Sequence, residues 1–260
     1  MSNKLLERLR GGAILTGMQC FTASPVLVEA MGHAGLDFVT IDMEHCPTGL
    51  ETMGHLFRAA DASGIVPFAR VPKLDSSTIG RVLDLGAAGV VLPHASIERS
   101  KLALQYARYA PAGSRSACPM IRAAGYMGAD WAAFAQQADS GVHVIPLIED
   151  EQGLEECEGI LDIEGVDMVF VGPFDLSMSL GLPGADYRHP RLADALQRIT
   201  GAAARRGKYV MTTVASSIDP AYARSLLDAG VTLMSFSADV GVFFKACRDI
   251  AGLGRAVASA

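Results

Sequence analysis

One short pattern recurs four times along the chain: the end of a helix, a glycine, then an apolar run. The glycines are Gly35, Gly86, Gly165 and Gly230, and the runs that follow cover residues 36–42, 87–93, 166–172 and 231–237. A glycine at the end of a helix is the usual stop signal. A short, continuous apolar run bounded by turns reads as a strand buried on both faces. The glycines lie 51, 79 and 65 residues apart. Each gap fits about two strand–helix units, the longest also holding an extra loop. The four runs are therefore the second, fourth, sixth and eighth strands, and the odd strands are predicted at residues 14–17, 66–70, 142–148 and 208–213. Eight units in 260 residues, 260/8 = 32.5 each, match a (β/α)8 TIM barrel. The whole of 1–260 reads as a single domain. An open, doubly wound α/β sheet is the alternative, but no glycine-rich dinucleotide fingerprint follows the first strand.

The segment 110–130 is too long for an ordinary connection and carries Pro111, Gly113, Pro119, Gly125 and Gly128. It is expected to be a functional or interface loop. Arg115, Arg122 and Tyr126 within it are candidates to reach a substrate tail or a neighbouring subunit.

Barrels of this kind place their chemistry at the C-terminal ends of the strands. Those ends read Asp42 and then His45, Arg70, Pro93, Glu149, Asp175, and Ser237 with Asp239. Glu149 and Asp175 close consecutive apolar runs, so both acids are expected on one rim. Each residue has a plainer account. Glu149 could open a helix, Asp175 could cap one, Arg70 could pair with Glu149, and His45 could be a surface loop residue. On one rim, four such accounts would have to coincide. The shared chemistry is coherent. Two carboxylates suit a hard divalent cation, Mg²⁺, Mn²⁺ or Co²⁺. Such a cation would chelate a 2-oxo acid, Arg70 would add a hydrogen-bonding fork, and both would stabilise an enolate. His45, oriented by Asp42, would move a proton on or off a hydroxyl. No lysine stands at a strand end, which argues against a Schiff base. Ser216, Ser217 and Ser237 are weaker candidates for phosphate binding, and Asp239 for a helix cap.

A net charge of −6 gives a nucleic-acid role little electrostatic support. No apolar run is long enough to cross a membrane, and the apolar start of the chain is broken by Thr16, Gly17 and Gln19, unlike a signal peptide. Five scattered cysteines without a C-x-x-C pair fit a reducing, cytoplasmic setting.

The motifs Asp42-Met43-Glu44-His45, Arg70-Val71-Pro72, residues 83–93, Ile148-Glu149 and Gly172-Pro173-Phe174-Asp175-Leu176-Ser177 occur in an order that resembles the HpcH/HpaI family of metal-dependent pyruvate aldolases, over roughly residues 10–245. The resemblance implies reversible cleavage of a 4-hydroxy-2-oxo acid to pyruvate and an aldehyde. It implies Glu149 and Asp175 as metal ligands, Arg70 as the pyruvate-binding arginine, and His45 with its partner Asp42 as the base. It also implies a homo-oligomer, a hexamer with an exchanged C-terminal helix. Residues 240–253 carry the apolar side chains such an exchange needs. The chain departs from the family pattern at Leu147, where glutamine is common, at Phe174, where a small residue is common, and at Cys46 and Ser116, which replace glycines. Leu147 and Phe174 are therefore expected at the substrate, with substrate choice or turnover altered. Two further readings stay open: another enolate-forming lyase or decarboxylase of the same superfamily, and a 2-oxo-acid-binding member that has lost turnover.

Overall fold

In a computed structural model, described for residues 2–127, 130–182, 188–214 and 219–258, the strands are β1 (Leu15–Cys20), β2 (Phe38–Asp42), β3 (Val66–Arg70), β4 (Gly89–Leu92), β5 (His143–Ile148), β6 (Met168–Val171), β7 (Tyr209–Val214) and β8 (Leu233–Ala238). They pair in parallel in sequence order, and β8 returns to β1 to close the barrel. The helices are α1 (Ser2–Arg10), α2 (Pro25–His33), α3 (Leu50–Ser63), α4 (Ser76–Asp84), α5 (Ile97–Ala107), α6 (Trp131–Gly141), α7 (Glu151–Glu155), α8 (Cys157–Asp162), α9 (Pro173–Ser179), α10 (Pro190–Ala204), α11 (Pro220–Asp228) and α12 (Asp239–Ala258). The expected (β/α)8 barrel is present. The first strand begins one residue later than predicted and runs on to Cys20.

The repeat has a backbone cause. Gly35, Gly86, Gly165 and Gly230 have φ of 90°, 110°, 92° and 96°. This is the left-handed region that glycine enters freely and other residues resist. It turns each chain out of a helix and straight into the next strand. Helix starts are equally local. The side chains of Ser24, Asp75, Ser96, Asp130, Asp150 and Asp219 accept N–H bonds from the first turns of α2, α4, α5, α6, α7 and α11, contributing about 1 kcal/mol each.

The apolar residues divide into two layers. Leu15, Phe38, Phe68, Val91, Ile145, Leu147, Met168, Phe170, Met211 and Leu233 fill the barrel interior. A larger set, including Val39, Ile41, Val90, Val144, Val169 and Val210, packs outward against the helices. Strands covered on both faces need apolar residues at successive positions, which is why the runs do not alternate. Leu5, Leu6 and Leu9 of α1 join the interior layer. Helix α1 is thus amphipathic and closes the interior away from the C-terminal strand ends, while Thr16, Gly17 and Gln19 belong to β1. Burial of each leucine contributes about 1.5–3 kcal/mol at most.

No helix among the described residues is long and apolar enough to cross a membrane. The long segment holds a 3-10 turn, Arg122–Ala124. Arg115 pairs with Asp84 at 2.7 Å and lies over the Tyr109 ring. Arg122 pairs with Asp61 and donates to the Leu85 carbonyl. Together with Tyr126 they line a cavity of about 560 Å³ beside Pro67, Ala88 and Val142, at the N-terminal ends of β3, β4 and β5. These three residues face the end opposite Arg70 and Glu149, so the expectation that they reach a substrate at the strand C-termini is not met.

Candidate active site

Strand register places the first pair. Asp42 and Arg70 are direct partners where β2 and β3 run side by side. Arg70 Nε donates to Asp42 Oδ1 and Nη2 to Oδ2, both at 2.8 Å. The two parallel N–H···O bonds form a bidentate ion pair, buried on both sides. Burial by itself would raise the Asp42 carboxyl, but the bonds and charge of Arg70 outweigh it and hold the group below its ordinary value. The same contact raises the Arg70 guanidinium against its own burial. Among the described residues these two bonds leave Nη1 and one hydrogen of Nη2 uncommitted. Arg70 also lies 5.8 Å from the centre of the Phe21 ring, just past β1.

The side-chain partner of Asp42 is therefore Arg70, where the sequence reading had paired Asp42 with His45. Asp42 does touch the His45 loop, but through the backbone: its carboxylate accepts the Glu44 N–H at 2.9 Å and the His45 N–H at 3.3 Å. Cys46 Sγ stands 3.6 Å from the same carboxylate, and the thiol is pushed up to about 11, mainly by burial and then by the Asp42 charge. The His45 ring, 57% exposed, has its Nε2 3.8 Å from Glu44 Oε2.

Glu149 follows β5 directly and is only 3% exposed. It does not cap a helix, because Asp150 does that for α7. Its Oε1 accepts the His94 N–H at 2.7 Å. Burial pushes its carboxyl up to about 7; the His94 contact opposes this, while the charges of Glu44 and Asp175 add to it. Asp175 lies in the first turn of α9, three residues past Gly172 at the N-cap position, so it is not itself the cap. Gly172 leaves the room: a Cβ there would stand 3.0 Å from Glu149 Cβ.

Leu147, expected at the substrate, is 1% exposed and belongs to the interior layer, against the Gly172 backbone and below Glu149. Two steps along a strand keep a side chain on the same face, so it forms the floor beneath the acid rather than a wall of the mouth. Phe174 is 66% exposed beside Asp175. Asp239 accepts N–H bonds from Phe21 and Thr22 and joins the loop after β1 to the start of α12. Ser237 has φ 56°, and Ser216 and Ser217 lie outside the described residues.

Two residues at this end were missed from the sequence. Glu44 is half-buried, with its carboxylate 3.5 Å from Arg70 Nε. Burial raises its carboxyl, and Arg70 opposes that most strongly. His94 adopts φ 50°, uncommon outside glycine, and its Nδ1 stands 3.1 Å from Asp150 and 3.7 Å from Glu149. Their signal was available: both are charged or titratable residues within two positions of a strand end.

The family model for HpcH/HpaI aldolase/citrate lyase matches residues 16–246. The chain belongs to that family. It is 34% identical over 256 residues to the hydroxypyruvate/pyruvate aldolase of Paraburkholderia phytofirmans, covering 95% of this chain and 96% of that protein. It is 31% identical over 250 residues to the 5-keto-4-deoxy-D-glucarate aldolase of Escherichia coli, covering 96% and 95%. A crystal structure of a family protein from Burkholderia cenocepacia superposes with a TM-score of 0.88 at 34% identity, covering 97% of this chain and 99% of that one. Membership of this family makes the chain an enzyme of the carbon–carbon lyase type.

Proposed function

We propose that this lyase is a divalent-metal-dependent aldolase that cleaves a 4-hydroxy-2-oxo acid reversibly to pyruvate and an aldehyde. The observation that carries the reading is Glu149: a buried carboxylate beside Asp175 and Glu44, its carboxyl pushed up to about 7 by burial and by their charge. Hard oxygen donors with surplus negative charge fit Mg²⁺, Mn²⁺ or Co²⁺. Glu149 and Asp175 would hold the ion, which when bound supplies positive charge for the carboxylate and keto oxygens of the substrate.

The chain's own residues do the rest. Asp42 fixes the Arg70 fork, which binds the oxo-acid oxygens and stabilises charge as it develops there. His45 takes the proton of the 4-hydroxyl. The bond between C3 and C4 breaks, its electron pair stays with the three-carbon fragment as the pyruvate enolate, and the aldehyde leaves; protonation of the enolate at carbon gives pyruvate. Phe174 borders the mouth where an aldehyde side chain would emerge. The names of the two aldolase relatives support an oxo-acid substrate.

An oligomer is part of the reading. α12 has its main contacts with β1 and β8, while Phe243, Phe244, Ile250, Leu253 and Val257 are 62–70% exposed. So large an apolar face on one helix suits burial against another subunit, in line with a hexamer. The cysteines are free, as a cytoplasmic setting requires.

The test is pyruvate release from a panel of 4-hydroxy-2-oxo acids. A chelator should abolish it, and Mg²⁺, Mn²⁺ or Co²⁺ should restore it. Turnover persisting in the double variant Glu149→Ala, Asp175→Ala would sink the metal assignment.

A further inference from the structure

The cavity of about 560 Å³ at the N-terminal ends of β3, β4 and β5 has the size of a small-molecule site. Arg115 is the polar group built into its wall. The side chain is 2% exposed and pairs with Asp84 through Nη2 at 2.7 Å. Its guanidinium lies 4.6 Å from the centre of the Tyr109 ring, which packs in turn on Trp131 and Phe134 with centroids 5.2 and 6.2 Å away. The ion pair and the aromatic stack fix its orientation. Among the described residues Asp84 is the only acceptor for this side chain, and the buried Nε–H has none. A buried donor without an acceptor is costly and uncommon, and an acceptor entering the cavity removes that cost. Arg122, by contrast, is committed: it donates to the Leu85 carbonyl at 2.9 Å and pairs with Asp61. Gly86 makes room for it, since a Cβ there would stand 2.5 Å from Arg122 Nη1. The two ion pairs balance in charge, so what the wall has in surplus is the donors of Arg115. Leu83, Val142, Phe134 and Tyr126 give the rest of the wall an apolar character.

We propose that this cavity is a second binding site, for a small carboxylic acid with a compact apolar body. The carboxylate meets Arg115, whose planar fork of donors matches its two oxygens. The body lies against Phe134, Tyr126 and Val142. A guanidinium already held by Asp84 and Tyr109 loses little freedom when the acid binds, which favours affinity. The inference goes beyond the aldolase reading and does not depend on it. None of the residues lining the cavity belongs to the strand-end rim of Asp42, Arg70, Glu149 and Asp175.

The experiment titrates the full-length protein with benzoate and with 3-phenylpropionate, by calorimetry and by ligand-observed NMR. A chelator is present throughout, so that no divalent ion recruits a carboxylate to Glu149 and Asp175. At least one of the two acids is expected to bind with a Kd of about 0.1–1 mM, in the range for roughly ten non-hydrogen atoms. Benzamide, the uncharged control, should bind about tenfold more weakly or not at all. Arg115→Lys keeps a cation for Asp84 but removes the guanidinium fork, and should weaken binding about tenfold. Ala138→Phe places a ring in the cavity and should abolish binding. If Ala138→Phe fails to fold, Tyr126→Ala, at a 64% exposed position, is expected to weaken binding several-fold in its place. No saturation by about 20 mM of either acid, well beyond the expected range, would overturn the proposal. So would benzamide binding as tightly as the acids, binding unchanged in Arg115→Lys and the cavity variant, or binding seen only when the chelator is replaced by Mg²⁺. The last result would place the acid at the strand-end rim instead.

Discussion

Replacing Glu149 by glutamine should make the metal-free protein more stable at alkaline pH while destroying its affinity for a divalent ion. The carboxyl is raised from an ordinary 4.5 to about 7, chiefly by burial. Between those values the unfolded chain has released the proton and the folded one still holds it, so stability falls as pH rises through the interval. The shift of roughly 2.5 units corresponds to about 3 kcal/mol, at about 1.4 kcal/mol per unit. Fully developed above pH 7, this penalty is absent below about pH 4.5. Denaturant unfolding with a chelator present, at pH 5 and pH 8, measures it. Wild type should lose up to about 3 kcal/mol more than Glu149→Gln across that range. Adding Mg²⁺ or Mn²⁺ at pH 8 should restabilise wild type alone, because the ion binds the ionised carboxylate. Parallel pH dependence in the two proteins would refute the argument that Glu149 is a desolvated acid waiting for a cation.

Three further outcomes follow from the same geometry. Asp42→Ala leaves the buried Arg70 charge without its partner and should cost about 3–5 kcal/mol by thermal or chemical unfolding. Arg70→Lys keeps the charge but loses the two-pronged bond to Asp42, and cleavage kcat/KM should drop about 10²-fold or more, with folding retained. Phe174→Ala, at an exposed position, should change stability by no more than about 0.5 kcal/mol, yet shift the ranking of aldehydes in the synthetic direction.

Much of the architecture was legible because its causes are local. Each of the four repeat glycines adopts a left-handed φ, and an apolar run after such a stop has little choice but to enter a buried strand. The strand ends also located the rim acids: Glu149 follows β5 directly, and Asp175 lies in the first turn of α9, just after β6. What sequence reasoning misplaced were contacts between strands or within a loop. Asp42 was paired with His45 from their place at the end of the second strand and from the family pattern; register adds that Arg70 lies opposite Asp42, and a guanidinium fork engages both carboxylate oxygens at once. Leu147 was singled out because the family pattern commonly has a glutamine there; register puts it on the same face as Glu149 and one layer deeper, inside the barrel. The arginines of the long segment were candidates to reach a substrate tail or a neighbouring subunit, and their ion pairs with Asp84 and Asp61 hold them at the end of the strands away from Arg70 and Glu149.

The sequence by itself therefore determined the eight-fold alternation, the closed barrel and the set of polar residues at the strand ends, because helix stops, caps and buried strands depend on neighbours in the chain. Only the tertiary structure decided how those polar residues are paired. Which carboxylate serves Arg70, which lies near the His45 ring, and which remains buried beside like charges depend on strand register and on depth below the rim, quantities set by packing across 28 residues for Asp42 and Arg70 and 55 for His94 and Glu149.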